Sequence, residues 1–206
     1  MIISFARKFI FTAIPKTGTH SVRRALRAHM GPDDWEQVGL FVQRAFPVAE
    51  LARIGHGHIS LAQLRPFLKP EDFEAFFKFA FVRNPFDRFV SYASFITREV
   101  GHFDRDPKRV MRYFLANPPM DHILFRPQHE FVADTEGKLL TDYVGRVEEM
   151  QQSYDEICGR MGIPVANLEQ VNSSRRKDYR DYYDQSLIDG VARLYARDLE
   201  LFGYEF

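Results

Sequence analysis

The stretch Phe9-Ile-Phe-Thr-Ala-Ile-Pro-Lys-Thr-Gly-Thr-His-Ser21 decides the fold of this chain. Its apolar run from Phe9 to Ile14 favours a β-strand, a short loop around Gly18 follows, and a helical pattern begins near Ser21. A strand, a glycine loop and a helix N-terminus in this order present backbone N–H groups that bind phosphate. The stretch therefore predicts an anion site at the start of the first helix.

A second stretch, Phe79-Ala-Phe-Val-Arg-Asn-Pro-Phe-Asp-Arg-Phe-Val-Ser-Tyr92, repeats the order of strand, polar turn and helix. Pro85 is suited to a helix start, because its missing N–H has no partner to lose there. The common nucleotide loop G-x-x-x-x-G-K-[ST] occurs in neither stretch, since Lys16 precedes the glycine of a shorter loop. The two stretches predict a phosphate site of another type.

Together they resemble the two cofactor motifs of sulfotransferases that use PAPS (3′-phosphoadenosine 5′-phosphosulfate). The resemblance implies that Arg83 and Ser91 bind the 3′-phosphate and that Lys16 also takes part in catalysis. It assigns the 5′-phosphosulfate to one continuous loop, which comprises Lys16, Thr17, Gly18, Thr19, His20 and Ser21. PAPS is then the sulfuryl donor and PAP (3′-phosphoadenosine 5′-phosphate) the product.

Two histidines lie in the glycine-flanked segment Arg53-Ile-Gly-His-Gly-His-Ile-Ser60. In an extended segment, side chains at i and i+2 point to the same side, so both imidazoles face one way. Ser60 and Gln63 predict a capping box for a helix that begins just after the segment. The segment resembles the His-Gly-His element of uronyl and heparan 2-O-sulfotransferases, which implies that His58 is the catalytic base and that His56 is a second catalytic candidate. A structural histidine pair and half of a metal site stay open as alternatives.

Other polar side chains are weaker candidates. The resemblance places an acceptor-binding element at His122, Arg126 and Gln128, and a loop that closes over the nucleotide at Ser174 and Arg175. Three arginines on the first helix, Arg23, Arg24 and Arg27, are interpreted as solvated; a contact of one of them with phosphate or substrate stays open as the alternative.

Strands alternate with helices along the chain, which predicts one α/β domain over residues 1–206. We expect a P-loop-type domain whose central sheet is mostly parallel and flanked by helices, with the site at the carboxyl ends of the strands. Further elements are predicted as a strand over Phe76–Val82, a helix over Pro107–Ala116, a strand over Leu139–Val147, a helix over Glu148–Met161 and a final helix over Asp184–Phe202.

Composition limits the classes of function. Lys and Arg together number 28, and Asp and Glu together also number 28, so no net positive charge attracts the chain to nucleic acid. Cys158 is the only cysteine, which excludes an internal disulfide framework. We interpret the N-terminal apolar run as the first core strand of a cytoplasmic protein with no membrane partner, because Arg7 and Lys8 interrupt it. This fits a compact, soluble relative of bacterial type; the oligomeric state is left open.

The predicted function is transfer of a sulfuryl group from PAPS to a hydroxyl of a small-molecule or glycan acceptor. Positioning and charge stabilisation dominate such in-line transfers, a histidine titrating near neutrality suits the role of base, and no metal is needed. A non-catalytic nucleotide-binding relative and an atypical P-loop kinase are the alternatives. The kinase would need Mg²⁺ ligands and a lysine after the glycine.

Overall fold

The computed structural model describes residues 1–38, 45–168 and 177–206. The chain forms two compact units. The first comprises Met1–Val82 and the described part of Gln128–Val171, and the second comprises Arg83–Pro127 and the described part of Asn172–Phe206. Within the described residues, no helix combines the length and the apolar character that crossing a membrane requires.

The strands of the described residues are β1 (Ile2–Ser4), β2 (Phe9–Thr12), β3 (Trp35–Glu36), β4 (Phe77–Val82) and β5 (Tyr143–Arg146). The helices in the same ranges are, in chain order, α1 (Thr19–Arg27), α2 (Ala49–Ala52), α3 (Leu61–Leu64), α4 (Pro70–Ala75), α5 (Pro85–Thr97), α6 (His102–Arg105), α7 (Pro107–Ala116), α8 (His129–Val132), α9 (Met150–Met161), α10 (Gln185–Leu194) and α11 (Ala196–Phe202). Short 3₁₀ segments cover Arg65–Phe67, Val147–Glu149 and Tyr179–Tyr182.

The sheet of the first unit is mixed, so the prediction of a mostly parallel sheet is wrong. Its strand order is β3-β1-β2-β4-β5. The pairs β2–β4 and β4–β5 are parallel, whereas β1 pairs antiparallel with both β2 and β3. The apolar N-terminal run folds back on itself as a hairpin, which adds an antiparallel edge to a parallel core. Such edges are common in α/β sheets.

The buried carboxylate of Asp34 stabilises this hairpin. Asp34 accepts hydrogen bonds from the Ser4 hydroxyl at 2.6 Å, from the Phe5 N–H at 2.7 Å and from the Gly31 N–H at 2.8 Å. The turn ends at Lys8, a non-glycine residue in the left-handed region with φ 54°. Asp34 therefore stabilises a turn that lacks the glycine or asparagine usual in tight hairpins.

The sheet is covered on both faces. Because side chains alternate along a strand, Ile2, Phe9 and Phe11 pack with α1 and α9, while Ile3 and Ile10 pack with α3 and α4. Burial on both faces explains why β2 and β4 appear as continuous apolar runs in the sequence.

The second unit is helical. Its core joins α5, α7 and α10 through Phe89, Met111, Phe114, Leu187 and Val191, all of them buried. The predicted start of α5 at Pro85 and the predicted bounds of α7 are confirmed.

Two predicted elements are shorter than expected. The final helix is broken into α10 and α11 at Tyr195, whose hydroxyl donates to the Phe125 carbonyl at 2.8 Å. The strand predicted over Leu139–Val147 is only β5, because Leu139 forms a local bridge with Ala133 instead of joining the sheet.

Candidate functional site

The loop after β2 has the geometry of an anion site. The Thr17 hydroxyl donates to the Ile14 carbonyl at 2.9 Å and closes the loop. Lys16 has φ 67°, and Gly18, the N-cap of α1, has φ 69°. Gly18 offers no side chain to cap the helix, and the first turn of α1 holds no acidic residue. The helix N-terminus therefore presents its N–H groups and its positive dipole end to an anion.

The polar residues of the first turn differ in exposure. Thr19 and Ser21 are each 6% exposed, whereas His20 is exposed. Desolvation of its ring and the positive charges of Arg23 and Lys16 lower the pKa of His20. The charges around this turn are thus predominantly positive.

His58 docks at the base of the same loop. Its Nδ1 lies 2.6 Å from the carbonyl oxygen of Ala13, which directly follows β2. A carbonyl can only accept, so Nδ1 carries the proton and Nε2 of the neutral ring carries the lone pair. Burial lowers the pKa of His58 to about 3, although the hydrogen bond to Ala13 opposes the shift. The expectation of titration near neutrality does not hold for this ring, which is neutral throughout the physiological range.

His56 has the complementary tautomer. Its Nδ1 accepts a hydrogen bond from the His58 backbone N–H at 3.3 Å, which leaves the proton of a neutral ring on Nε2. The ring centroids of the two histidines are 5.9 Å apart, although the backbone bends at His56 and Gly57 instead of being extended as predicted. The predicted capping box of Ser60 and Gln63 is present at the start of α3. The two rings therefore have opposite roles at Nδ1, which donates in His58 and accepts in His56.

Behind the histidines lies a buried ion cluster on α1. Arg23 is 5% exposed, and its Nε lies 3.6 Å from the Glu36 carboxylate, whose side chain is fully buried. Arg27 binds the same carboxylate with two bonds from Nε at 2.9 and 3.0 Å. The expectation that Arg23 is solvated is wrong, because β3 brings Glu36 against this helix. Desolvation lowers the pKa of Arg23 to about 10.

In the second unit, Arg83 and Ser91 lie at the two ends of the predicted 3′-phosphate motif. Arg83 forms an ion pair with Asp87, with its Nε 2.6 Å from the carboxylate, and both side chains are partly buried. Asn84 caps α5 by accepting from the Phe86 N–H at 3.0 Å. Ser91 is half-buried on α5. The motif therefore places one guanidinium at the start of the helix and one hydroxyl two turns along it.

The residues predicted to bind the acceptor belong to different units. His122 and Arg126 belong to the second unit, where Tyr92 Oη lies 3.2 Å from His122 Nδ1 and Arg88 donates to the Arg126 carbonyl at 2.8 Å. Gln128 belongs to the first unit and is fully buried. Ser174 and Arg175 lie outside the described residues.

Sequence reasoning missed Gln37, which holds the His56 carbonyl, and the Ala13 carbonyl that orients His58. A lone glutamine without periodic neighbours carries no signal of such a role. A backbone carbonyl carries none either.

These features define an α/β protein with an anion-binding loop beside a neutral histidine, which suits an enzyme that transfers an anionic group. The model of the Sulfotransferase family matches residues 1–205. The chain therefore belongs to the sulfotransferase family, and the resemblance seen in the sequence is confirmed at that level. Neither the curated proteins nor the solved structures compared with the chain gave a match.

Proposed function

We propose that this protein transfers a sulfuryl group from PAPS to a hydroxyl group of a glycan or another alcohol. The observation that carries the proposal is the orientation of His58. Its Nδ1 proton is committed to the Ala13 carbonyl at the base of the Lys16 loop, so Nε2 is a proton acceptor beside an anion site. A hydroxyl nucleophile needs such an acceptor as it attacks.

The loop suits the phosphosulfate end of the cofactor. PAPS supplies an activated sulfuryl group whose departure leaves negative charge on a phosphate oxygen. Lys16 and the uncapped N-terminus of α1 would bind that charged end and stabilise the developing charge. The Thr17 hydroxyl already donates to Ile14, so Thr17 would contribute through its backbone, whereas Thr19 and Ser21 line the first turn.

The 3′-phosphate is assigned to Arg83 and Ser91 on the resemblance of their motif. A guanidinium and a hydroxyl are the donors that phosphate oxygens prefer, and charge-assisted bonds of this kind are strong. Ser174 and Arg175 would add contacts to the nucleotide, and His122 and Arg126 would contact the acceptor, on the same ground. Gln128 is fully buried, so we assign it no contact with the acceptor.

The two histidines would divide the proton chemistry. His58 Nε2 would take the proton of the attacking hydroxyl, while His56, whose ring lies beside it, would orient the acceptor. A negative charge near His58 raises its pKa toward neutrality, so an anion in the loop would make the ring a stronger base. No step of this scheme uses a metal.

The test is turnover of PAPS with a panel of glycan, phenolic and aliphatic alcohols, together with thermal shifts in PAP, in ATP and in ATP with Mg²⁺. We expect sulfated product and a rise of Tm with PAP, because a ligand that binds the native state stabilises it. Stabilisation by PAP without turnover on any acceptor would favour the non-catalytic relative. Stabilisation by ATP with Mg²⁺ alone would favour the kinase.

A further inference from the structure

The side chain of Gln37 joins three backbone segments next to the histidines. It is 2% exposed, and its Nε2 donates to the Leu51 carbonyl at 2.9 Å and to the His56 carbonyl at 3.0 Å. Its Oε1 accepts from the Phe46 N–H at 3.2 Å. Both amide protons and the amide oxygen are therefore used.

The backbone of Gln37 also contacts the histidine segment. A Cβ added to Gly57 would lie 2.3 Å from the Gln37 carbonyl oxygen, closer than any real Cβ contact. The Met1 nitrogen donates to both the Gln37 and the Gly57 carbonyls, at 3.2 Å for Gln37. Gln37 thus supports the peptide between His56 and His58 with its side chain and its main chain.

This support matters because the segment has little stiffness of its own. Gly55 and Gly57 flank His56, and glycine restricts the backbone least of all residues. The His58 ring is held at one end by Ala13, but a shift of its backbone would move Nε2 about that anchor. A displacement of about 1 Å at a reacting group lowers rates by about 10²-fold.

We propose that Gln37 is a positioning residue for His56 and His58 in the transfer reaction. The reaction itself rests on the proposed function. The positions of the two rings rest on the hydrogen bonds described above. The alternative is that Gln37 only stabilises the first unit, as Asp34 does at the hairpin.

The test compares Gln37→Glu with Ser4→Ala. The glutamate keeps an acceptor for the Phe46 N–H but turns a carboxylate toward the Leu51 and His56 carbonyls. Ser4→Ala removes one buried and one partly buried hydrogen bond of the same unit at the Asp34 hairpin. For each folded variant, the measurements are urea unfolding, PAP affinity by calorimetry, kcat with PAPS, and the imidazole ¹H–¹³C resonances, assigned with single histidine variants.

We expect Gln37→Glu to lower kcat by about 10- to 100-fold with PAP affinity within about twofold of wild type, since only the proton acceptor moves. Lower pH should restore part of the loss, because a protonated carboxyl donates again to one carbonyl. Ser4→Ala should lose a comparable free energy of unfolding and keep its kcat. Should Gln37→Glu not fold, Gln37→Asn, which keeps the amide on a shorter stem, takes its place.

Wild-type kcat in the folded Gln37 variant, or an equal fall of kcat in Ser4→Ala, would overturn the inference. The imidazole resonances distinguish a wrong positioning role of Gln37 from a wrong proposed function. If the wild type transfers nothing from PAPS, the reaction is wrong, and the positioning claim is decided by NMR. His56 and His58 resonances must then shift in Gln37→Glu and not in Ser4→Ala; unchanged resonances contradict it.

Discussion

His58 donates its Nδ1 proton to the carbonyl of Ala13 across 2.6 Å, and this bond joins the histidine segment to the end of β2. Ala13 lies two residues before Pro15 and the Lys16 loop, so one strand end sets both the anion site and the histidine ring. The bond also selects the tautomer, because a carbonyl cannot donate. The proposed base therefore needs no carboxylate partner to hold its ring.

Replacement of His58 by alanine should abolish most turnover. We expect kcat to fall about 10²-fold or more, the range typical of a lost general base, with PAP affinity nearly unchanged. His29→Ala, in the turn that follows α1, is the matched control and should keep full activity. Rates and PAP calorimetry on folded proteins decide the point. A parallel loss of binding and turnover would make His58 a structural residue.

The pH profile of kcat/KM should show no decrease near pH 6.5 from protonation of a histidine. With a pKa of about 3, His58 is unprotonated above about pH 4, so kcat/KM for the free enzyme should stay flat as pH falls from 8 to 5. Folding stability behaves differently. Between pH 6.5 and 3 the unfolded ring binds a proton that the native ring does not, so its contribution to stability is complete above 6.5 and is lost as pH falls.

Urea unfolding of wild type and His58→Gln at several pH values tests the second part. The pH slope of the unfolding free energy between 4 and 6.5 should be smaller in the variant. A decrease of kcat/KM below about pH 6.5 that is present in the wild type and absent in His58→Gln would contradict the low pKa of His58.

Local signals predicted the parts of the site that are built from neighbouring residues. The glycine loop before α1, Pro85 at the start of α5 and the Ser60 capping box each depend on bonds within a few residues. Backbone and side chain there obey short-range rules, which a single sequence displays.

Long-range partners escaped prediction. The strands β1 and β2 are both short and apolar, and residues 5–8 between them contain no glycine or asparagine that would indicate a hairpin turn. The turn is instead stabilised by Asp34, which is distant in sequence and accepts hydrogen bonds from the turn's backbone. Burial of Arg23 depends on Glu36, which a strand of two residues brings to it. Such pairings are decided by the sheet and not by the local pattern.

Lys16 and Lys8 form a matched pair, since both are lysines in the left-handed region, with φ 67° and 54°. Glycine relieves this strain, so Lys8→Gly and Lys16→Gly should each leave stability unchanged or raise it by up to about 1 kcal/mol. Only Lys16→Gly should lose activity, by about 10²- to 10³-fold, because it removes the charge beside the anion. Thermal unfolding and PAPS turnover are the measurements. Equal activity of both variants would remove Lys16 from catalysis.

Arg83→Gln should weaken PAP binding and spare 5′-AMP, which lacks the 3′-phosphate. A hydrogen bond to a charged group contributes about 1.5–3 kcal/mol, which corresponds to about 10- to 150-fold in Kd. Arg98→Gln, an exposed arginine whose guanidinium lies 4.4 Å from the Phe95 ring centre, is the control. Calorimetry with both nucleotides separates the cases, and equal losses for PAP and AMP would refute the 3′-phosphate role.

Gly57→Ala should disrupt the histidine segment, because its Cβ would lie 2.3 Å from the Gln37 carbonyl and 2.9 Å from Arg23 Nη2. The first neighbour is backbone and the second is buried, so neither moves easily. Overpacking of this kind destabilises by about 1–3 kcal/mol, and displacement of His58 should lower kcat as well. Gly159→Ala is the control: nothing lies within 4 Å of its Cβ, and alanine stabilises a helix by about 0.5–1 kcal/mol. Unfolding and turnover of both variants test the contact. If Gly57→Ala matched wild type in stability and kcat, the histidine segment would not pack against Gln37 as described.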